Sequence, residues 1–126
     1  KLRHSRILIY AGLLLLILNS SKNRTNKYEY IFKNIFLTPL EKIISVYRDN
    51  HDYNYYKLLG AYNIFLGRIN NKEIRASLQV DYEERYNNPY YSELKVTSDA
   101  FQGELTRFID SHRGNWTETI FEYLIF

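Results

Sequence analysis

Asp110, Ser111 and His112 stand in a row and supply the side-chain types of a hydrolase triad, in which a carboxylate orients an imidazole that activates a hydroxyl. Triad members converge from separate elements, and neighbours on a strand point to opposite faces, so this trio is expected to be a solvated turn. Asp81, Glu83 and Glu84 would suit a cation or acid–base work, but acids at a strand end ordinarily face water. The other histidines, His4 and His51, form no pair at metal-ligand spacing with His112 or with each other. The absence of cysteine removes thiol nucleophiles, thiolate zinc sites and disulfides. Gly60 and Gly67 are too far apart for a phosphate-cradling loop. The sequence therefore predicts no catalytic residue, no metal site and no cofactor. Three Asn-x-Ser/Thr triplets, at Asn19, Asn23 and Asn115, would matter only in a secretory protein.

The elements that position these residues must come from one domain's worth of chain, 126 residues with 45% hydrophobic and 17% aromatic content, enough to build a core. Residues 1–27 carry six basic groups and no acid, so the remaining chain has a net charge of −3. A nucleic-acid partner is thus not expected, because the basic excess lies outside the folded part. Such an asymmetry points to a membrane.

The apolar run Ile7, Leu8, Ile9, Tyr10, Ala11, Gly12, Leu13, Leu14, Leu15, Leu16, Ile17, Leu18 lies between Arg6 and Lys22. Twelve residues rise only about 18 Å as a helix, against about 30 Å of hydrocarbon. Flanking residues lengthen the helix and its basic side chains can snorkel, so the sequence predicts a membrane anchor over residues 1–21, in contact with a lipid bilayer. The missing initial methionine fits removal of an upstream targeting peptide.

Residues 22–37 read as a juxtamembrane linker and interfacial segment, and residues 38–126 as a globular domain. Thr38-Pro39-Leu40-Glu41 is a complete capping box with proline at the first helical position, so a helix starts at Pro39 and ends near Asn50. A second short helix over residues 52–59 is expected to stop at Gly60. Beyond it the pattern alternates. Ile74, Ala76, Leu78, Val80 and Tyr82 share one face of a strand over residues 73–85, and Tyr86-Asn87-Asn88-Pro89 reads as a turn. Leu94, Val96 and Ser98 continue the alternation, Gly103 separates that strand from residues 104–111, and a hairpin at His112 to Asn115 leads to a last strand over residues 116–126. With residues 62–69 as a first strand, the expected fold is α+β: an N-terminal transmembrane helix, then one or two helices on a mainly antiparallel sheet of about five strands. Tyr53, Tyr55 and Tyr56 are candidates for a partner interface, since tyrosine buries area while keeping a polar end wet.

The order of parts, with the Lys57-Leu58-Leu59-Gly60 helix stop before a sheet and the Gly114-Asn115-Trp116 hairpin, resembles the mitochondrial cytochrome c oxidase assembly factor family and the related Tim-twenty-one type subunit of the presequence translocase. The resemblance implies a single-pass inner-membrane protein with its globular part in the intermembrane space. It implies binding to respiratory-chain or translocase subunits and no catalysis. The expected function is that of a non-catalytic, membrane-anchored accessory or assembly subunit working by protein–protein contacts. An anchored extracytoplasmic enzyme or ligand-binding domain of a bacterium, resting on Asp81, Glu83 and Glu84, is the alternative.

Overall fold

Three further helices fill the region where strands were expected. The computed structural model describes residues 3–22, 26–79 and 84–116, and among them there is no strand. The elements are α1 (Arg3–Ser20), α2 (Lys27–Asn34), α3 (Pro39–Asp49), α4 (Tyr56–Ile69), α5 (Lys72–Ser77) and α6 (Pro89–His112), with single 3-10 turns at Glu84–Asn87 and Arg113–Asn115. The α+β architecture is thus corrected to an all-α one.

Local chemistry sets the helix starts. At α3 the Thr38 hydroxyl accepts from the Glu41 amide (3.3 Å) while the Glu41 carboxylate accepts from the Thr38 amide (2.8 Å), the reciprocal pairing that the sequence requires. The helix ends at Asp49 with Asn50 as its cap, and His51 takes a left-handed φ of 55°. At α6 the Asn88 side chain accepts from the amides of Tyr90 and Tyr91, and Pro89 occupies the first turn. Asn-Pro was expected to close a strand; here it opens a 24-residue helix, because an Asx side chain that bonds backbone amides serves a turn and an N-cap alike.

The burial of α6 follows a helical period: Thr97, Ser98, Phe101, Glu104, Leu105 and Phe108 face inward. Val96, assigned to a strand face by alternation, is 67% exposed. Gly60, expected to end a helix, lies inside α4, and residues 73–77 belong to α5. Of the last expected strand only Trp116 is described, buried against the core, and the rest of it lies outside the described residues, as do residues 80–83.

The core joins Leu8, Ala11, Leu15 and Leu18 of α1 to Ile43, Val46 and Tyr47 of α3, Leu58 of α4, and Phe101, Leu105 and Phe108 of α6. Gly12 lies against Pro39 and Asn19 bonds Asn50, so α1 and α3 run in the same direction. Tyr62 meets Phe101 and Arg68 pairs in bidentate fashion with Glu93, so α4 runs antiparallel to α6. At the heart of the bundle the Tyr47 and Phe108 rings stack, centroids 3.8 Å apart.

This packing overturns the membrane anchor. Of the residues assigned to it, Leu8, Leu15, Leu16 and Leu18 are buried within the protein, Ile7 and Leu14 are half-buried, and Ile9, Leu13 and Ile17 are exposed. Eighteen residues would rise about 27 Å, but Arg3, His4, Arg6, Asn19 and Ser20 occupy the ends of α1. No helix among the described residues is long and apolar enough to cross a membrane. The single-pass assignment to the mitochondrial inner membrane rested on that span and falls with it.

Two glycines separate crowded from open helix surface. A Cβ on Gly12 would stand 3.0 Å from the Pro39 carbonyl oxygen and 3.3 Å from its Cα, whereas one on Gly103 would meet nothing within 4 Å. Gly103→Ala should therefore stabilise the fold by about 1 kcal/mol through helix propensity, and Gly12→Ala should destabilise it. Guanidinium unfolding followed by far-UV circular dichroism reads both signs; a destabilised Gly103→Ala would count against the uninterrupted helix Pro89–His112.

Candidate functional site

The chemistry-bearing side chains gather where the C-terminal ends of α1, α3 and α6 meet. His112 takes its carboxylate from Asp52, sixty positions away, and not from Asp110: Nε2 lies 2.7 Å from Asp52 Oδ2. Arg107 donates to the same Asp52 oxygen (3.1 Å) and to Glu104 Oε1 (2.6 Å), and the Asn54 amide donates to Asp52 Oδ1 (3.0 Å). Asp52 is buried. Burial pushes its carboxyl pKa up, but the Asn54 amide, His112 and Arg107 outweigh this and bring it down to about 2.

The other imidazole nitrogen, Nδ1, faces Asn115 Nδ2 at 3.3 Å, and Asn115 also donates to Asn50 Oδ1 (3.0 Å). Asn50 in turn donates to Asn19 Oδ1 (3.0 Å), which also accepts from Trp116 Nε1 (3.3 Å). Asn19 Nδ2 donates to Tyr30 Oη (2.7 Å) and Asp49 Oδ2 (2.6 Å). One chain of polar contacts thus runs from α2 through α1 and α3 to α6. With both nitrogens of His112 engaged, the carboxylate–imidazole pair is arranged to hold helix ends together. Ser111 is exposed and meets Arg107 Nη1 at 3.5 Å.

The remaining candidates lie apart from this cluster. His4 is buried in the bundle, stacked on Phe65 at 4.3 Å with the rings 9° from parallel. Its Nε2 donates to Thr97 Oγ1 (2.9 Å), because the Thr97 proton goes to the Leu94 carbonyl (3.0 Å). Burial first, and the Arg3 charge second, lower the His4 pKa below the ordinary value. His51 is exposed beside the end of α3. Glu84 lies exposed in a 3-10 turn, while Asp81 and Glu83 fall outside the described residues. No group of three His, Cys, Asp or Glu among the described residues is arranged to hold a metal ion. Tyr53 and Tyr56 are exposed, whereas Tyr55 is half-buried, edge-on to Tyr47 and under the Arg48 guanidinium. Asn19 is fully buried, which excludes its triplet from sugar attachment in the folded state.

Among the described residues, α2 and the turn after it leave large aromatic side chains in water. Asn26 caps the helix by accepting from the Glu29 amide (3.0 Å), and the helical period then divides its residues. Tyr30 and Asn34 share one side, where Tyr30 bonds Asn19. Tyr28 and Phe32 share the other with Phe36 of the turn that follows α2, 86%, 72% and 82% exposed, and Ile35, the helix cap, lies beside them at 42%. Tyr30, Ile31 and Asn34 are half-buried against the protein, while the aromatic side and the charged Lys27, Glu29 and Lys33 face out. Phe32 and Phe36 pack edge-to-face at 6.0 Å. An open groove of about 1180 Å³ runs between α2 and α3, lined by Tyr30, Lys33, Leu37, Ile44 and Arg48 among others. Residues 22–37, expected as a juxtamembrane linker and interfacial segment, contain this helix.

Compared with models of known protein families, with curated proteins and with solved structures, the chain matches none.

Two titrations follow from the buried groups. Asp52 has its pKa depressed on folding, so the stability it contributes is present above about pH 4 and is lost as the pH falls towards about 2. Asp52→Asn should cost about 2 kcal/mol at pH 7, a difference that narrows across that window when urea unfolding is repeated at each pH. His4 is also depressed, but as a base: its unfolded form takes up a proton first, so stability should fall as the pH drops below about 6.5. His4→Gln should flatten that decline, and an unchanged slope would exclude His4 as its source.

Proposed function

We propose that the chain is a non-catalytic helical docking module, an accessory part of a larger protein assembly, and that it binds through the outward aromatic face of α2. The observation that carries this reading is the row Tyr28, Phe32 and Phe36, each more than 70% exposed, the first two on α2 and the third in the turn that follows it, while Tyr30 holds the other side of the helix to the protein. At 150–250 Å² per aromatic side chain, those rings leave about 500 Å² of apolar surface in water, the size at which a patch marks an interaction site. A folded chain gains nothing from that exposure. Covering it with a partner removes the same surface from water without reorganising the core.

The chemistry elsewhere supports the same reading. The imidazole of His112 is held between Asp52 and Asn115, and the polar cluster ties helix ends together instead of opening toward solvent. Exposed apolar residues along α1, Ile9, Tyr10, Leu13 and Ile17, supply a second surface of the same character.

A photoreactive side chain introduced at position 32 of the full-length chain in its native host tests the proposal. It should give adducts of discrete mass, while the same group at Thr106, exposed and polar on α6, should give none. Equal labelling from both positions, or none from position 32, would reject a docking role for α2.

A further inference from the structure

We infer that the occupant of the α2 face is a second copy of this chain, paired about a two-fold axis with the two α2 helices antiparallel. The inference rests on the docking reading above and names its partner. Charge carries the first step. Glu29 and Lys33 are both exposed and lie one turn apart on the same flank of the aromatic ladder. In an antiparallel pair related by a two-fold axis, each flank meets its own reversed image. Glu29 of one copy then stands opposite Lys33 of the other, and symmetry repeats the pair. In a parallel pair the axis runs along the helices and carries that flank to the far side of the contact, so Glu29 and Lys33 of the two copies do not meet. The antiparallel orientation is the one in which the two flanks meet with opposite charges paired.

Size carries the second step. Tyr28, Phe32 and Phe36 are 86%, 72% and 82% exposed. Contributed by two copies, they bring the area removed from water to about 1,000 Å² at 150–250 Å² per ring, the threshold for a specific interface. Ile31 and Ile35 add to it. With the axis near Phe32, Tyr28 of one copy falls beside Phe36 of the other, so each ring leaving water finds an aromatic neighbour and keeps the edge-to-face geometry that Phe32 and Phe36 already show.

Analytical ultracentrifugation of the full chain tests the inference, with circular dichroism to confirm folding. The wild type should show a monomer–dimer equilibrium below about 200 μM. Phe32→Asp should abolish the dimer with helicity unchanged. Glu29→Lys and Lys33→Glu should each weaken dimerisation about tenfold, since each reversal breaks two symmetry-related pairs, and combining them should restore it. A wild type monomeric throughout overturns the inference, as do charge reversals whose effects add instead of cancelling. Failure is distinguishable from failure of the docking reading. A monomeric chain that still gives adducts of another mass from position 32 keeps the docking role and loses the second copy, whereas a monomer without adducts loses both. Binding of the monomeric chain to anionic phosphatidylserine vesicles that Phe32→Asp removes would assign the face to lipid and likewise reject the second copy.

Discussion

The position of the most apolar helix depends on the side chain of Asn19, which has all four of its hydrogen-bonding positions filled in the interior. Its amide donates to Tyr30 and Asp49, and its carbonyl oxygen accepts from Asn50 and Trp116. A buried amide left with even one free position costs about 1–3 kcal/mol, so displacing any of these partners penalises the alternatives steeply. At the opposite end of α1, His4 makes an equally specific contact with Thr97. Between the two, Leu8, Leu15 and Leu18 provide burial but little directional preference. The apolar stretch supplies the attraction and its polar ends supply the register.

With α1 fixed in this way, the rest of the bundle has little freedom. Asn50, the residue that caps α3, bonds Asn19, so the end of α3 is set by the end of α1. Asp52, two residues later, gathers His112 and Arg107 and so sets the end of α6. The half-buried ion pair Arg68–Glu93 matches the antiparallel run of α4 along α6. α2 belongs to the same scheme: Tyr30 is drawn inward by Asn19, and turning Tyr30 inward turns Tyr28 and Phe32 outward.

How much of this was legible in the sequence depended on whether local chemistry or long-range packing made the decision. The start of α3 was legible because Thr38, Pro39 and Glu41 act within one turn, and its end near Asn50 was legible for the same reason. α6 was not. Residues four apart lie on one face under either a period of 2 or a period of 3.6, so Leu94 and Ser98, like Ile74 and Leu78, satisfy both patterns. The intervening Val96 and Ala76 tipped the reading toward strands, although both are exposed on helices. The Asp52–His112 pair was illegible for a different reason, since nothing within sixty positions of chain indicates that these side chains meet. For α1, composition indicated an apolar surrounding without saying whether lipid or protein supplies it. The polar residues at its two ends, His4 and Asn19, held that information, but only through partners on other elements, 11 to 97 residues away.

Those separations also order events on the ribosome. α3 follows α1 closely and can shield one side of it early, but Thr97 and Trp116 lie 93 and 97 residues beyond their contacts at His4 and Asn19. At about 5–20 residues per second of synthesis, the flank of α1 destined for α6 waits roughly 5–20 s for its cover. For that interval the nascent chain displays a leucine-rich helix behind basic residues, the features that targeting factors and chaperones read. Translation speed across the intervening helices therefore bears on whether this helix closes into its own bundle or is captured first.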